Sequence, residues 1–236
     1  MSTKKNNLLS LMSLLEQEKF YSKAELIPLI ISQKIAEYKK PIDHLYFPID
    51  GFISIYEATH GHPLLEVGMI GREGMLGEEV ILGAKKHNFG GIIQGPGEAW
   101  KISTQDFKSL IAISTELREI TKSYLAVRLQ QLGLSIACEH FHEIRARLAK
   151  WLVMSQDRAQ SSTFHMTHEF IALMLGVRRV GVSIIANDFK KNGLIDYTRG
   201  QVKVIDRVAL RAQACQCYKD NKSIYSSYFR LKYPSY

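Results

Sequence analysis

The chain has 236 residues, of which 46% are hydrophobic and 23% charged, and it carries a formal net charge of +8. These are ordinary values for a globular protein, and they exclude a disordered, collagen-like or disulfide-scaffold protein. Because no run of 18 apolar residues occurs and the N-terminal segment is interrupted by serines, we expect neither a membrane span nor a signal peptide.

The charge is unevenly distributed. Residues 1–114 hold 12 Lys and Arg against 13 Asp and Glu, whereas residues 115–236 hold 19 against 10. A neutral half joined to a basic half indicates a polyanion-binding module. Nucleic acid is the favoured ligand, ahead of an anionic membrane. The alternative is a basic surface that is only solvated. The three cysteines form no disulfide framework and suit a reducing compartment, so we predict a cytoplasmic protein.

The N-terminal half has the pattern of a β domain. A short amphipathic helix is predicted over 6–16, and short runs of β-branched and aromatic residues follow, separated by turn signals. They predict strands at Leu26–Ile31, Lys34–Tyr38, His44–Phe47, Phe52–Glu57, Leu64–Met69, Phe89–Gln94 and Glu98–Ile102. Many short, evenly spaced strands favour a jelly roll or a small barrel.

The period becomes helical at Ser103, which is placed as an N-cap with Asp106 three residues on. A long helix is then predicted over Thr115–Phe141. Its 3-4 stripe consists of Leu117, Ile120, Tyr124, Val127, Gln131, Leu134, Cys138 and Phe141, and predicts a coiled-coil seam with a second subunit. A helix packed only on its own barrel is the alternative. A second stripe, Leu125, Leu129, Leu132 and Ile136, suits both interpretations, with one face for the partner and one for the barrel.

The C-terminal part predicts a winged helix-turn-helix. A helix over 142–158 and a polar linker over 160–164 precede a short helix capped by Thr167, and Gly176 provides the left-handed turn after it. Arg178 opens a second helix that runs to about Lys191, with Val182, Ile185 and Phe189 inward, and a hairpin around 198–200 follows. Such a second helix enters the DNA major groove. A helical hairpin inside a larger domain is the alternative. The fold class is therefore α+β: an N-terminal β jelly roll, a long dimerisation helix and a C-terminal winged helix-turn-helix.

On these motifs the chain resembles the Crp/Fnr superfamily of bacterial transcription regulators. The resemblance rests on 47–51 (Phe-Pro-Ile-Asp-Gly), 71–77 (Gly-Arg-Glu-Gly-Met-Leu-Gly), 128–130 (Arg-Leu-Gln), 145–152 and the winged motif. It implies a jelly-roll domain over 1–114, a dimerisation helix over 115–141, a DNA-binding domain over 142–220 and a C-terminal tail over 221–236. It also implies a homodimer on a two-fold symmetric operator of double-stranded DNA, with RNA polymerase as a further partner and an effector of unknown identity.

The resemblance carries one recognition-helix residue over, Arg179, which would contact a guanine edge through two hydrogen bonds. Val180 would touch an apolar feature such as a thymine methyl. The other predicted DNA-binding residues, assigned mainly to phosphate or positioning contacts, are Thr167, Arg178, Ser183, Lys190, Lys191 and Arg199.

The predicted effector pocket departs from that of the cyclic-AMP-binding relatives. Gly77 and Glu78 match the ribose-binding pair, but the positions of the phosphate-binding Arg and Ser fall on Asn88 and Phe89. The purine-contacting pair falls on Leu132 and Gly133. A buried phosphodiester without its cation costs several kcal/mol, so we predict that the jelly roll does not bind cyclic AMP. Control by a cyclic nucleotide or another small effector stays the alternative.

No cofactor or metal is predicted. Residues 1–40 contain no cysteine, which excludes the N-terminal iron–sulfur sensor of other relatives, while haem on His44, His60, His62 or His87 stays a minor alternative. Cys215 and Cys217 are placed on one predicted helix, where residues two apart point to different faces, and therefore predict ordinary thiols.

A remote alternative is a cupin-like metal-dependent enzyme with His60, His62 and Glu66 as ligands. The fourth ligand of cupins is absent, so we predict that the chain is not an enzyme.

Overall fold

The N-terminal half consists of two antiparallel sheets, in a computed structural model that describes residues 5–58, 60 and 64–229. The strands are β1 (Ala24–Leu29), β2 (Lys34–Ala36), β3 (His44–Pro48), β4 (Phe52–Glu57), β5 (Leu65–Ile70), β6 (Gly90–Gly95) and β7 (Gly97–Ser103). One sheet has the order β1-β7-β3 and the other β2-β6-β4-β5. Apolar side chains such as Ile53, Ile55, Ile93 and Ala99 are buried in one cluster between them. The predicted jelly roll is confirmed.

The predicted N-terminal helix is wrong in its bounds. Residues 9–11 form a single 3₁₀ turn, and helix α1 begins only at Leu14 (Leu14–Tyr21), after Ser13 in an extended conformation. The reason is Asn6, whose side-chain oxygen accepts from the amides of Leu8 and Leu9 while its amide nitrogen donates to two carbonyls of the jelly roll. These bonds fix the segment on the barrel and replace the ones that a continuous helix would make.

Two capped helices follow the last strand of the jelly roll. The Ser103 side chain accepts from the amide of Asp106 at 3.0 Å, as predicted, and begins α2 (Thr104–Ile113). Ser114 caps α3 in the same way, through the amide of Leu117. Helix α3 (Thr115–Phe141) has the predicted bounds.

The stripe of α3 that was predicted as the coiled-coil seam packs mainly within its own chain. The first half of the stripe assigned to the partner subunit is buried against the chain's own jelly roll, with Tyr124 at 2% and Val127 at 0% exposure, whereas Phe141 at its end is 75% exposed. In the second stripe, Leu129 and Ile136 face outward at 67% and 72% exposure, and Leu125 and Leu132 are half-buried. The prediction failed because a helical period identifies two apolar faces but does not say on which side the barrel lies.

The C-terminal half is a winged helix-turn-helix. Its elements are α4 (Ile144–Ala159), β8 (Thr163–His165), α5 (His168–Met174), α6 (Arg179–Lys191), β9 (Ile195–Thr198), β10 (Gln201–Val204), α7 (Arg207–Gln213) and α8 (Cys217–Tyr228). The segment predicted as a polar linker overlaps β8, which pairs with β10, so the wing has the strand order β8-β10-β9. Phe164 in β8 is buried in the domain core, which explains why this polar segment forms a strand.

Two predictions about the C-terminus are corrected. Residues 221–228 form the main part of α8 and pack against α3, whereas the sequence indicated a separate tail from 221. The Tyr225 hydroxyl is buried and donates to the carbonyl of Glu73 at 2.7 Å, which anchors the helix on the jelly roll. Because α7 ends at Gln213 and α8 begins at Cys217, Cys215 lies outside any helix and its thiol comes close to that of Cys138.

The two halves are joined by a packed, partly polar interface. Arg158 of α4 forms a buried ion pair with Glu73 at 2.7 Å, and the Trp151 indole donates to Glu66 of β5 at 2.8 Å. Phe52 and Met69 of the jelly roll belong to the same apolar cluster as the core of the C-terminal domain. No helix in the described part of the chain is long and apolar enough to cross a membrane.

Candidate nucleic-acid interface

The turn between α5 and α6 has the predicted geometry. The Thr167 side chain accepts from the amide of Phe170 at 3.1 Å and caps α5. Gly176 has φ +62°, a left-handed conformation that side-chain-bearing residues rarely adopt. Arg178 follows in an extended conformation as the N-cap residue, so α6 begins at Arg179, one residue later than predicted. The two arginines therefore lie at the N-terminal end of the second helix.

One face of α6 is fixed to the domain core. Val182, Ala186 and Phe189 are buried, and Ile185 is partly buried beside them, as the sequence predicted for 182, 185 and 189. Arg145 of α4 forms an ion pair with Asp188 at 2.6 Å and lies over the ring of Phe189. These contacts set the orientation of α6 and leave its other face outward.

The outward face of α6 combines a cation with apolar side chains. Arg179, Val180, Ile184 and Asn187 are all exposed, Val180 at 69% and Ile184 at 64%. Ile184 and Asn187 were not among the predicted contacts, although their spacing of four and seven from Val180 places them on the same face. Exposed β-branched side chains beside an arginine suit the major groove, where thymine methyl groups lie next to the acceptors of guanine.

Two predicted DNA contacts have partners within the domain. Ser183 Oγ lies 3.0 Å from His168 Nδ1, and the His168 ring stacks on Tyr197 of the wing at 4.0 Å. Burial, and then the charge of Arg179, lower the pKa of His168, which favours its neutral form. Ser183 therefore connects α6 to α5 and, through His168, to the wing.

Lys190 has a similar structural contact, since its ammonium forms an ion pair with Asp196 at 2.6 Å and donates to the carbonyl of Tyr197. Lys191, the next residue, is exposed at the same end of α6. The two predicted phosphate-binding lysines thus differ in their surroundings.

The tip of the wing lies beside the start of α5. Arg199 and Gly200 form a two-residue turn between β9 and β10 with φ +50° and +78°, the signs typical of a type I′ hairpin. The amide of Met166 donates to the carbonyl of Gly200 at 2.6 Å, and a β-carbon at Gly200 would lie 3.5 Å from Thr167. The exposed Arg199 is therefore held near Thr167.

A shallow concave surface connects several predicted residues. Its lining includes Thr167, Phe170, Val177, Arg178 and Arg179. Lys191 is not part of this lining, since it lies at the opposite end of α6. Three of the eight predicted DNA-binding residues thus share one surface.

The four residues predicted for an effector pocket are in different surroundings. Glu78 is buried and forms an ion pair with Arg128 of α3 at 3.0 Å, and Gly77 precedes it with φ +96°. Leu132 lines an apolar hollow between β5 and α3 together with Phe89. Gly133 lies on the outward side of α3, and a β-carbon there would meet nothing within 4 Å in the described part of the chain.

The ligands of the cupin alternative are not assembled among the described residues. His62 lies outside these residues, and Glu66 accepts a hydrogen bond from Trp151 at the domain junction. Of the haem candidates, His87 is buried with its Nδ1 3.9 Å from Glu79, and His44 is half-buried on β3. Within the described residues, a single group of three or more potential metal ligands is close enough to hold an ion, and none of these histidines belongs to it.

Comparison with known proteins identifies the C-terminal domain. Residues 146–213 match the family of Crp-like helix-turn-helix domains. No curated protein sequence matches the chain.

Solved structures share the whole architecture. A protein described as a Crp/Fnr-family transcriptional regulator from Eubacterium rectale is similar, with 16% identity, a TM-score of 0.68, and coverage of 88% of this chain and 97% of that one. A CRP-family transcriptional regulator from Thermus thermophilus has 20% identity and a TM-score of 0.67, with 80% and 96% covered. The c-di-GMP-responsive regulator CLP from Xanthomonas campestris has 16% identity and a TM-score of 0.65, with 82% and 100% covered.

At these identities the solved structures establish the fold, and the domain match establishes the type of helix-turn-helix. The match over 146–213 agrees with the resemblance to the Crp/Fnr superfamily found in the sequence, and the solved structures agree with it in fold.

Proposed function

We propose that the chain is a Crp/Fnr-type transcription regulator that acts as a homodimer on a two-fold symmetric operator. Its helix-turn-helix domain matches the Crp-like family, and its fold is that of Crp/Fnr-family regulators. The observation that carries the proposal is the outward side of α6, where Arg179, Val180 and Ile184 are all exposed. In a dimer, two such helices reach successive major grooves about one DNA turn apart. Its family and structural neighbours are transcription regulators and not enzymes, in agreement with the sequence-based prediction.

Each residue of the interface has a proposed role. Arg179 reads a guanine through two parallel hydrogen bonds, and Val180 and Ile184 contact thymine methyl groups. Thr167, Arg178, Lys191 and Arg199 flank this face and bind phosphates, which positions the helix without reading sequence. Ser183 and Lys190 contribute indirectly, because their partners are His168 and the wing.

The dimer forms through the outward stripe of α3. Leu125, Leu129, Leu132 and Ile136 are spaced four, three and four residues apart, which is the spacing of a coiled-coil seam. Two of them are more than two-thirds exposed in a single chain. Gly133 lies on the same side and leaves space for the close approach of a second helix.

The effector of this regulator is not cyclic AMP. The hollow between β5 and α3 is lined mostly by apolar side chains, and its ionisable lining residues are Glu57, Glu66, Glu139 and His140. Phe89 stands where cyclic-AMP-binding relatives have a phosphate ligand, and the carboxylate of Glu78 is already paired with Arg128. An anionic phosphodiester would meet a mostly apolar surface with no lysine or arginine among the described lining residues, which disfavours its binding. As a second candidate function, the regulator responds to a small apolar or cationic effector that binds in this hollow.

The remaining assignments follow from DNA as the ligand. A DNA-binding regulator whose three described cysteines form no disulfide works in the cytoplasm. RNA polymerase is the partner through which it changes transcription.

The experiment is a selection of bound sequences from random duplex DNA by the purified full-length protein. We expect one palindromic motif. Arg179→Ala should lose about 1–3 kcal/mol of discrimination between this motif and random DNA. Arg179→Lys is the matched control, because it keeps the charge but not the two-pronged geometry, and it should lose discrimination while retaining more affinity for random DNA. Equal losses of Arg179→Ala on specific and random DNA would contradict its base-reading role.

A further inference from the structure

Four potential metal ligands from distant parts of the sequence meet where α3 ends. Cys138 lies in the last turn of α3, and His142 is the first residue after this helix. Cys215 precedes α8 and Cys217 is its first residue. One ligand atom from each of the four lies within 4.8 Å of the others. The fold thus brings together a Cys-x3-His pair and a Cys-x-Cys pair that are more than 70 residues apart in the sequence.

The distances fit tetrahedral zinc. Bonds of about 2.3 Å to sulfur and about 2.0 Å to nitrogen place two sulfur ligands about 3.8 Å apart, and sulfur and nitrogen about 3.5 Å apart. The Sγ atoms of Cys138 and Cys215 are 3.6 Å apart, and Cys217 Sγ is 3.5 Å from His142 Nδ1. A disulfide would need about 2.05 Å between sulfurs, so the two nearest thiols are spaced as ligands and not as a bonded pair.

The surroundings of the cluster also suit a metal–thiolate site. All three cysteines are buried, and Leu134 and Ala146 pack against them. The ammonium of Lys150 lies 3.1 Å from Cys138 Sγ, as a donor. Three thiolates and a neutral imidazole leave one net negative charge on Zn²⁺, which this ammonium offsets.

We propose that Cys138, His142, Cys215 and Cys217 bind one Zn²⁺ in a closed, four-coordinate site. Three thiolates and one imidazole make up a ligand set of structural zinc sites, in which no position is left for a substrate. Because the ligands come from the end of α3, the link between α3 and α4, and the start of α8, the ion fastens the C-terminal end of the DNA-binding domain to the long helix. The angle at which the domain leaves α3 is then fixed by the metal.

The first test is elemental analysis of the full-length protein, expressed with added zinc and purified without chelators. We expect about one zinc per chain. Cys217→Ser and His142→Ala should lose most of it. His140→Ala is the matched control, because it removes a neighbouring histidine outside the cluster and should retain the metal. A metal-free wild-type protein, or equal loss in His140→Ala and His142→Ala, would overturn the proposal.

A second measurement does not depend on the folding of any variant. The wild-type protein is stripped of metal under reducing conditions and titrated with Co²⁺. Thiolate-to-cobalt charge-transfer bands and the intense visible bands of tetrahedral cobalt should appear and saturate at about one equivalent. Lys150→Gln should weaken Co²⁺ affinity by about 10-fold, the lower end of the effect expected for a residue that contacts a ligand. Weak octahedral cobalt spectra, or a Cys138–Cys215 disulfide in protein purified under reducing conditions, would show that the cluster is not a zinc site.

Discussion

The outward stripe of α3 gives a direct test of the proposed dimer. Leu129 and Ile136 are 67% and 72% exposed in the single chain. Full burial of such a side chain contributes about 1.5–3 kcal/mol, so burying the part that is still exposed contributes about 1–2 kcal/mol. A dimer contains four of these side chains, which gives about 4–8 kcal/mol. The double variant Leu129→Gln/Ile136→Gln should therefore raise the dimer dissociation constant by about a thousandfold or more.

The assay is sedimentation equilibrium over a concentration series, with circular dichroism as the check on folding. The control is Leu82→Gln/Ile113→Gln, which removes two equally exposed apolar side chains, at 75% and 73%, away from the stripe. Its dissociation constant should equal that of the wild type. The reasoning is refuted if the stripe variant dimerises within about threefold of the wild type, since this is only about 0.7 kcal/mol. Equal weakening in both double variants would also refute it.

Three further predictions concern DNA binding, pH and the effector. Lys191→Ala should lower the slope of log affinity against log salt concentration by about one unit. Lys190→Ala should lower it by less, because Asp196 already offsets the charge of Lys190. Equal slopes for the two variants would contradict this prediction. Burial raises the pKa of Glu66 from 4.5 to about 7, so the folded state holds this proton more tightly than the unfolded state. The free energy of unfolding should therefore fall as pH rises from about 4.5 to 7, and Glu66→Gln should gain up to about 3 kcal/mol over the wild type at pH 8 but little at pH 4, measured by urea denaturation. A gain that does not change with pH would contradict the raised pKa. Calorimetric titration with cyclic AMP to about 1 mM should show no saturable heat, and a dissociation constant below that value would contradict the pocket argument.

The packed junction between the two halves determines what an effector would have to change. The Arg158–Glu73 ion pair and the Trp151–Glu66 hydrogen bond connect α4 to the jelly roll, and the hollow beside α3 includes Glu66 in its lining. A ligand in this hollow would contact β5 and α3 at once. If the ligand binds one arrangement of these elements more tightly than another, the difference in affinity sets how far it shifts the equilibrium between the two positions of the DNA-binding domain.

Local sequence signals determined most of the elements. The alternation of short apolar runs with turn residues located the strands of the jelly roll to within two residues, and the proline-free 3-4 pattern defined α3 from Thr115 to Phe141. The cap at Thr167, the left-handed turn at Gly176 and the buried Val182 and Phe189 likewise follow from residues close in sequence. Such signals are reliable because caps, turns and amphipathic faces depend on contacts within a few positions.

Tertiary structure decided what these elements contact. Both stripes of α3 have the same period, and only the position of the barrel shows that Val127 faces inward while Leu129 faces outward. Ser183 and Lys190 are residue types that commonly bind phosphate. In the structure, however, Ser183 contacts His168 of α5 and Lys190 pairs with Asp196 of the wing. Cys138 and Cys215 are 77 residues apart in sequence, and no local pattern connects them. Hydrophobic period and intrinsic propensity reflect interactions over a few residues. These contacts instead depend on how α3, the wing and α8 pack together, and that packing is determined by how the whole chain buries its apolar surface.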